Sequence, residues 1–99
     1  MEKNLIHPSA VVETGAKIAN DVMIGPFSFI GADVVLHSGV KIKSHVVVTG
    51  NTEIGHETVV YPFAVIGEIP QDLKFNGEQT SLKIGKNNQI RENVTINVG

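Results

Sequence analysis

The sequence predicts an all-β chain, a parallel β-helix of about five triangular coils, and three observations predict it. An aliphatic residue recurs every six positions, a small or β-branched residue recurs four places after each one, and turn-forming residues fill the places between. The aliphatic series runs Ile6, Val12, Ile18, Ile24, Ile30, Leu36, Ile42, Val48, Ile54, Val60 and Ile66. It lapses at Asp72 and Glu78, then resumes in the same phase at Ile84, Ile90 and Ile96. Fourteen of its sixteen positions are Ile, Val or Leu, a density that a 41% hydrophobic chain does not reach by chance. A period of six is neither the 3.6 of a helix nor the simple alternation of a two-sided strand. It suits a short strand plus a turn, with the aliphatic always aimed at one axis. Three such units close a coil of about eighteen residues, and coils stack roughly 4.8 Å apart by parallel strand pairing. Each Ile or Val so buried contributes about 1.5–3 kcal/mol.

The remaining places in the hexad follow the same logic. Four residues after each aliphatic stand Ala10, Ala16, Val22, Ser28, Val34, Val40, Val46, Thr52, Thr58 and Ala64. The third and fourth places carry Thr14-Gly15, Asn20-Asp21, Ser38-Gly39, Gly50-Asn51 and Lys86-Asn87, which tolerate positive φ or bond their own backbone and so suit corners. A coil of eighteen stacks Pro8, Pro26, Ser44 and Pro62 along one corner, followed by the column Ser9, Phe27, His45 and Phe63. Phe27 and Phe63 then project outward at a corner, as a subunit interface would have them. From about 68 to 83 the repeat breaks, through Ile69-Pro70-Gln71-Asp72-Leu73-Lys74-Phe75-Asn76-Gly77-Glu78, and this stretch reads as a loop ejected from a coil. Residues 1–99 are thus one solenoid domain with one ejected loop. The last residues, Ile96 to Gly99, open a hexad without completing or capping it, the pattern of a longer solenoid cut short.

Composition excludes several function classes. A formal net charge of -2 offers nothing to attract nucleic acid or an anionic membrane surface. The absence of cysteine removes disulfide and thiolate chemistry and suits a cytoplasmic protein. The first twelve residues include Glu2, His7 and Pro8 and lack a signal peptide's apolar run, and no apolar run is long enough for membrane insertion.

Loops on rigid scaffolds are where chemistry concentrates. Within the ejected loop, Asp72 and Lys74, with Gln71 beside them, are the polar candidates, although an Asp-x-Lys pair alone better fits a solvated loop. His7, His37, His45 and His56 fall in the second, second, fourth and third places of their hexads and show no familiar ligand spacing, so no metal site is expected. His45 reads as packing between Phe27 and Phe63, and His37 and His56 as solvated corner residues. Arg91 and Glu92 fit a structural ion pair, and Asn97 a turn or edge residue. No phosphate-cradling glycine loop and no Ser-His-Asp arrangement is present.

The break and its flanks also carry a family resemblance. Ser44-His45-Val46-Val47-Val48, Tyr61-Pro62-Phe63-Ala64-Val65-Ile66-Gly67 and Gln71-Asp72-Leu73-Lys74-Phe75 occur in fixed order. Gly77-Glu78-x-Thr80 follows, then Ile84-Gly85-x-Asn87-x-x-Ile90-Arg91-Glu92-x-Val94-Thr95-Ile96. This pattern resembles the first portion of the acyl-carrier-protein–UDP-N-acetylglucosamine O-acyltransferases, which begin lipid A synthesis in Gram-negative bacteria. The hexads alone would indicate only the wider hexapeptide-repeat superfamily. The Gln-Asp-Leu-Lys loop with Ile-Arg-Glu downstream is the more specific signal.

The resemblance implies a left-handed coil sense and a cytoplasmic homotrimer with active sites in clefts between subunits. It implies transfer of a 3-hydroxyacyl group from acyl carrier protein to the glucosamine 3-hydroxyl of UDP-N-acetylglucosamine, with no cofactor. A histidine general base deprotonates that hydroxyl. It lies beyond Gly99, as do further coils and a helical domain, so the 99-residue chain is expected to be inactive alone. Asp72 and Lys74 match substrate-contacting positions, with Gln71 and Asn97 the further candidates for substrate binding. Asn97 stands where well-known members have histidine, and Val98 where they have arginine. Three readings compete with this one: a noncatalytic truncated β-solenoid module, another hexapeptide-repeat acyltransferase, and a carbonic-anhydrase-like zinc protein.

Overall fold

A computed structural model describes residues 4–68 and 81–97. Its strands are short because the hexad leaves only two or three residues between corners. They are β1 (Leu5–Ile6), β2 (Val11–Val12), β3 (Lys17–Ile18), β4 (Met23–Ile24), β5 (Phe29–Ile30), β6 (Val35–Leu36) and β7 (Lys41–Ile42). There follow β8 (Val47–Val48), β9 (Thr52–Ile54), β10 (Val59–Val60), β11 (Val65–Glu68), β12 (Leu82–Ile84), β13 (Gln89–Ile90) and β14 (Thr95–Asn97). Every third strand belongs to the same parallel sheet. Sheet A orders β1-β4-β7-β10-β13, sheet B orders β2-β5-β8-β11-β14, and sheet C orders β3-β6-β9-β12. The three sheets are the sides of a left-handed parallel β-helix.

Register is the expected one. Ile6 pairs with Ile24, Ile24 with Ile42 and Ile42 with Val60, each eighteen residues on. Both inward places of the hexad are buried through the middle coils: Ile24, Ile30, Leu36, Ile42, Val48, Ile54, Val60 and Ile66 from one, Val22, Val34, Val40, Val46 and Ala64 from the other. The polar members of the second set are satisfied internally. Ser28 Oγ donates to the Lys43 carbonyl at 2.8 Å and accepts from the Val46 amide at 3.1 Å. Thr52 Oγ1 donates to the Thr49 carbonyl at 2.7 Å, and Thr58 Oγ1 to the Gly85 carbonyl at 3.0 Å. Buried hydroxyls of this kind are cheap only while paired, and here they tie corner to coil.

Across the break the register changes. Ile54 pairs with Ile84, Val60 with Ile90 and Ile66 with Ile96, thirty residues apart instead of eighteen. The excess is two whole hexads, which is why the aliphatic phase survives. The interruption is also narrower than expected among the described residues. Glu68 is still in β11, and Leu82 and Lys83 already pair with Thr52 and Glu53, because both ends gain ladder hydrogen bonds.

Gly67 marks the point where β11 departs from simple register. Its φ is +85°, a shift falls between Ile66 and Glu68, and a Cβ here would run into the Thr49 carbonyl oxygen. Any side chain is therefore excluded by both torsion and space. Gly67→Ala is expected to destabilise the fold by at least about 1 kcal/mol, seen as a lower denaturation midpoint; an unchanged midpoint would contradict the assignment.

Candidate functional site

Triangular stacking turns every sixth-place column of the sequence into a stripe on the surface, so the chemistry of each side can be read in columns. Sheet C presents Lys17, Val35, Glu53 and Lys83 outward, in register. Sheet A presents Leu5, Met23, Lys41, Val59 and Gln89. Sheet B presents Val11, Phe29, Val47, Val65 and Thr95, with no charge among them.

The corner between sheets A and B carries the expected aromatic column. The Phe27 and His45 ring centroids are 5.2 Å apart, and those of His45 and Phe63 are 5.1 Å apart and stacked. All three residues take left-handed backbone torsions, with φ of 59°, 56° and 66°. Such a conformation costs bulky residues of order 1–3 kcal/mol each and persists only where the surroundings impose it. Here a corner ladder imposes it: the His45 amide donates to the Pro26 carbonyl at 3.0 Å, and the Phe63 amide to the His45 carbonyl at 3.1 Å. Beside this column, the Arg91 guanidinium lies 4.1 Å from the centre of the Tyr61 ring and Lys43 Nζ lies 5.8 Å from it. Arg91 pairs with Glu92 at 3.4 Å, as the sequence suggested, and both are exposed, so the pair adds little stability.

His37 and His56 depart from the expectation of independent solvated corners. His37 Nε2 meets Glu53 Oε2 at 2.5 Å, and the His37 and His56 ring centroids are 5.0 Å apart. The reason is the winding: residues sixteen and nineteen apart sit on successive coils around one corner, a proximity that hexad phase alone does not reveal. Glu53 is held below its ordinary carboxyl pKa, first by the hydrogen bond from His37, with Lys83 a smaller contributor. Among the described residues no group of three or more His, Cys, Asp or Glu side chains converges as metal ligands.

Of the substrate-binding candidates, Gln71, Asp72 and Lys74 lie outside the described residues. Asn97 ends β14, where its backbone pairs with Glu68 of β11. The described chain thus brings the end of the repeat that precedes the break alongside Asn97. It does not bring a general base there: the four histidines stand elsewhere, His45 on the A–B corner, His7 beside Ser9, and His37 with His56 at the C–A corner.

The class this architecture defines is the hexapeptide-repeat parallel β-helix, with a break after the strand ending at Glu68. No protein-family model matches the chain. It is 54% identical over all 99 of its residues to an acyl-[acyl-carrier-protein]–UDP-N-acetylglucosamine O-acyltransferase of Rickettsia peacockii, covering 38% of that protein. Among solved structures, LpxA of Bacteroides fragilis, a UDP-N-acetylglucosamine acyltransferase, superposes with a TM-score of 0.92 at 46% identity over 96% of this chain and 37% of that one. LpxA of Acinetobacter baumannii superposes with a TM-score of 0.91 at 48% identity, over 94% and 36%. The chain is similar over its whole length to part of these UDP-N-acetylglucosamine O-acyltransferases. It spans well under half the length of the relatives it matches.

The His37–Glu53 bond carries a pH signature. A carboxyl more acidic in the folded state stabilises the fold above its unfolded pKa, and that contribution disappears as pH falls through the folded value. Glu53→Gln is therefore expected to lower the melting temperature at pH 7 by no more than about 4 °C. On acidification through the lowered Glu53 value the gap closes. A gap that stays constant from pH 7 to pH 3 would show that Glu53 acts through packing and not charge.

Proposed function

We propose that this chain forms the leading coils of an enzyme that transfers a 3-hydroxyacyl group from acyl carrier protein to the 3-hydroxyl of UDP-N-acetylglucosamine, the first step of lipid A synthesis. The observation that carries this reading is whole-chain identity of about half to proteins named for that reaction, on a matching fold. In it, residues 1–99 are a solenoid domain with a loop leaving the repeat between about 68 and 83, and the later coils and helical domain of the family follow. Asp72 and Lys74, with Gln71 and Asn97, contact substrate, Lys74 near the sugar nucleotide, and a histidine beyond Gly99 takes the proton from the attacking hydroxyl. The thioester carbon is attacked by that oxygen, and the carrier thiol leaves with the proton. The enzyme works in the cytoplasm; among the described residues no helix is long and apolar enough to cross a membrane.

The test is an acyl-transfer assay with 3-hydroxyacyl carrier protein and UDP-N-acetylglucosamine, run on the protein that continues this chain. Lys74→Ala is expected to lower kcat/KM at least tenfold, about 1.4 kcal/mol of transition-state binding. The 99-residue chain alone is expected to give no turnover. No transfer by the longer protein would leave the noncatalytic solenoid module in its place.

The same reading makes the protein a homotrimer. Two features support it: the uncharged outer row of sheet B, and the outward rings of Phe27 and Phe63, which are 65% and 57% exposed in the single chain. Changing Phe27 and Phe63 together to serine is expected to convert a trimer into monomers by light scattering. A trimer indifferent to that double change would move the interface to another side.

A further inference from the structure

We propose that assembly of this chain is proton-sensitive through His45: the neutral imidazole can be buried between subunits, and its protonated form opens the interface. This inference rests on the homotrimer reading above and adds a mode of regulation to it.

The surface in question is apolar and large. Sheet B offers Val11, Phe29, Val47 and Val65, whereas sheet A interposes Lys41 and sheet C carries Lys17, Glu53 and Lys83. The coil stack measures 46 × 26 × 25 Å, so one flat side offers about 1,000 Å², above the roughly 800 Å² per partner of a stable interface. A second copy of the same chain is the occupant that this area and lack of charge fit. Within the aromatic column that borders sheet B, Ser9, Phe27, His45, Phe63 and Asn93, His45 is the one side chain that a proton can charge.

Its surroundings decide what that charge does. Phe27 and Phe63 cover the two faces of the imidazole, at 5.2 and 5.1 Å between centroids. On the sheet A side stand Lys43 and Arg91 over Tyr61, and the nearby carboxylate, Glu92, is engaged by Arg91. The ion pairs among the described residues are His37–Glu53 and Arg91–Glu92, and neither involves His45. Among the described residues, an imidazolium here therefore meets aromatic faces and cations but no unengaged counter-charge. In the free chain it stays hydrated at its edge and is favoured by the two rings. Between subunits it would be desolvated without a partner, next to the same charge on the neighbouring copies, which is costly. Protons thus favour the free chain over the assembled one.

The test is light scattering at one protein concentration at pH 7.5 and pH 5.5, on the wild-type chain, His45→Phe and His45→Gln. Linkage allows up to about tenfold loss of association per pH unit for each proton taken up. The wild type is expected to be trimeric at pH 7.5 and at least about a hundredfold weaker in association at pH 5.5, with its β-sheet circular dichroism unchanged. His45→Phe extends an aromatic column whose other members already hold left-handed torsions of 59° and 66°. It is expected to remain trimeric at both pH values, and so is His45→Gln, which guards against a merely stickier phenylalanine. A wild-type trimer equally tight at both pH values overturns the inference alone. So does dissociation of both variants in parallel with the wild type, or dissociation only with loss of the β signal. A wild-type chain with no trimer at pH 7.5 overturns the trimer reading and this inference with it.

Discussion

Everything in this molecule depends on one constraint, the parallel pairing of each coil with the next. A strand of two or three residues cannot hold itself together. It is held because amides on one coil donate to carbonyls on the following one, as from Leu5 to Val22, Met23 to Val40 and Lys41 to Thr58, at 2.9 to 3.0 Å. Most of this bonding joins residues on successive coils, about seventeen to nineteen apart or about thirty apart across the break, so local propensity contributes little. The aliphatic columns and the ladder need each other: without register the Ile and Val side chains would not share one axis, and without that shared core the ladder would lose its protection from water.

This constraint also explains why side chains segregate into stripes. A residue type repeated at a fixed place in the hexad becomes a continuous band along one side or one corner. Charge falls on sheet C, apolar residues on sheet B, and aromatic rings on the corner between A and B. The strain at that corner shows the strength of the ladder. Phe27, His45 and Phe63 accept left-handed torsions that glycine or asparagine would adopt more readily, because stacking and backbone bonding hold all three together. At the break the same ladder resumes thirty residues on, so the aliphatic core continues across it.

The functional reading draws on both kinds of information, and they were not equally legible. The column Phe27, His45, Phe63 could be read from spacing because a corner repeats once per coil and stacks directly. The His37–Glu53 bond and the tilted His37–His56 contact could not. They join residues from different hexad places, on adjacent coils around a bend, and only the actual path of the corner brings their rings and carboxylate within reach. At the edges of the break Glu68 belongs to β11 and Leu82 and Lys83 to β12, because the ladder extends them even where the aliphatic place at Glu78 has lapsed. The substrate-contacting assignments at Gln71, Asp72 and Lys74 came from the family pattern in the sequence and owe nothing to side-chain geometry.

The sequence by itself determined the coil architecture of this protein, because period, corner chemistry and inward residue size are each local properties repeated often enough to leave one consistent register, while the left-handed sense came from the family resemblance. It also determined which family the chain resembles, through the residues on either side of the break. Only the tertiary structure decided which strands pair across that break, which outward row of described residues carries no charge, and which titratable groups meet. Those are properties of coils laid upon one another, and residues sixteen, nineteen or thirty apart become neighbours only once the chain has wound.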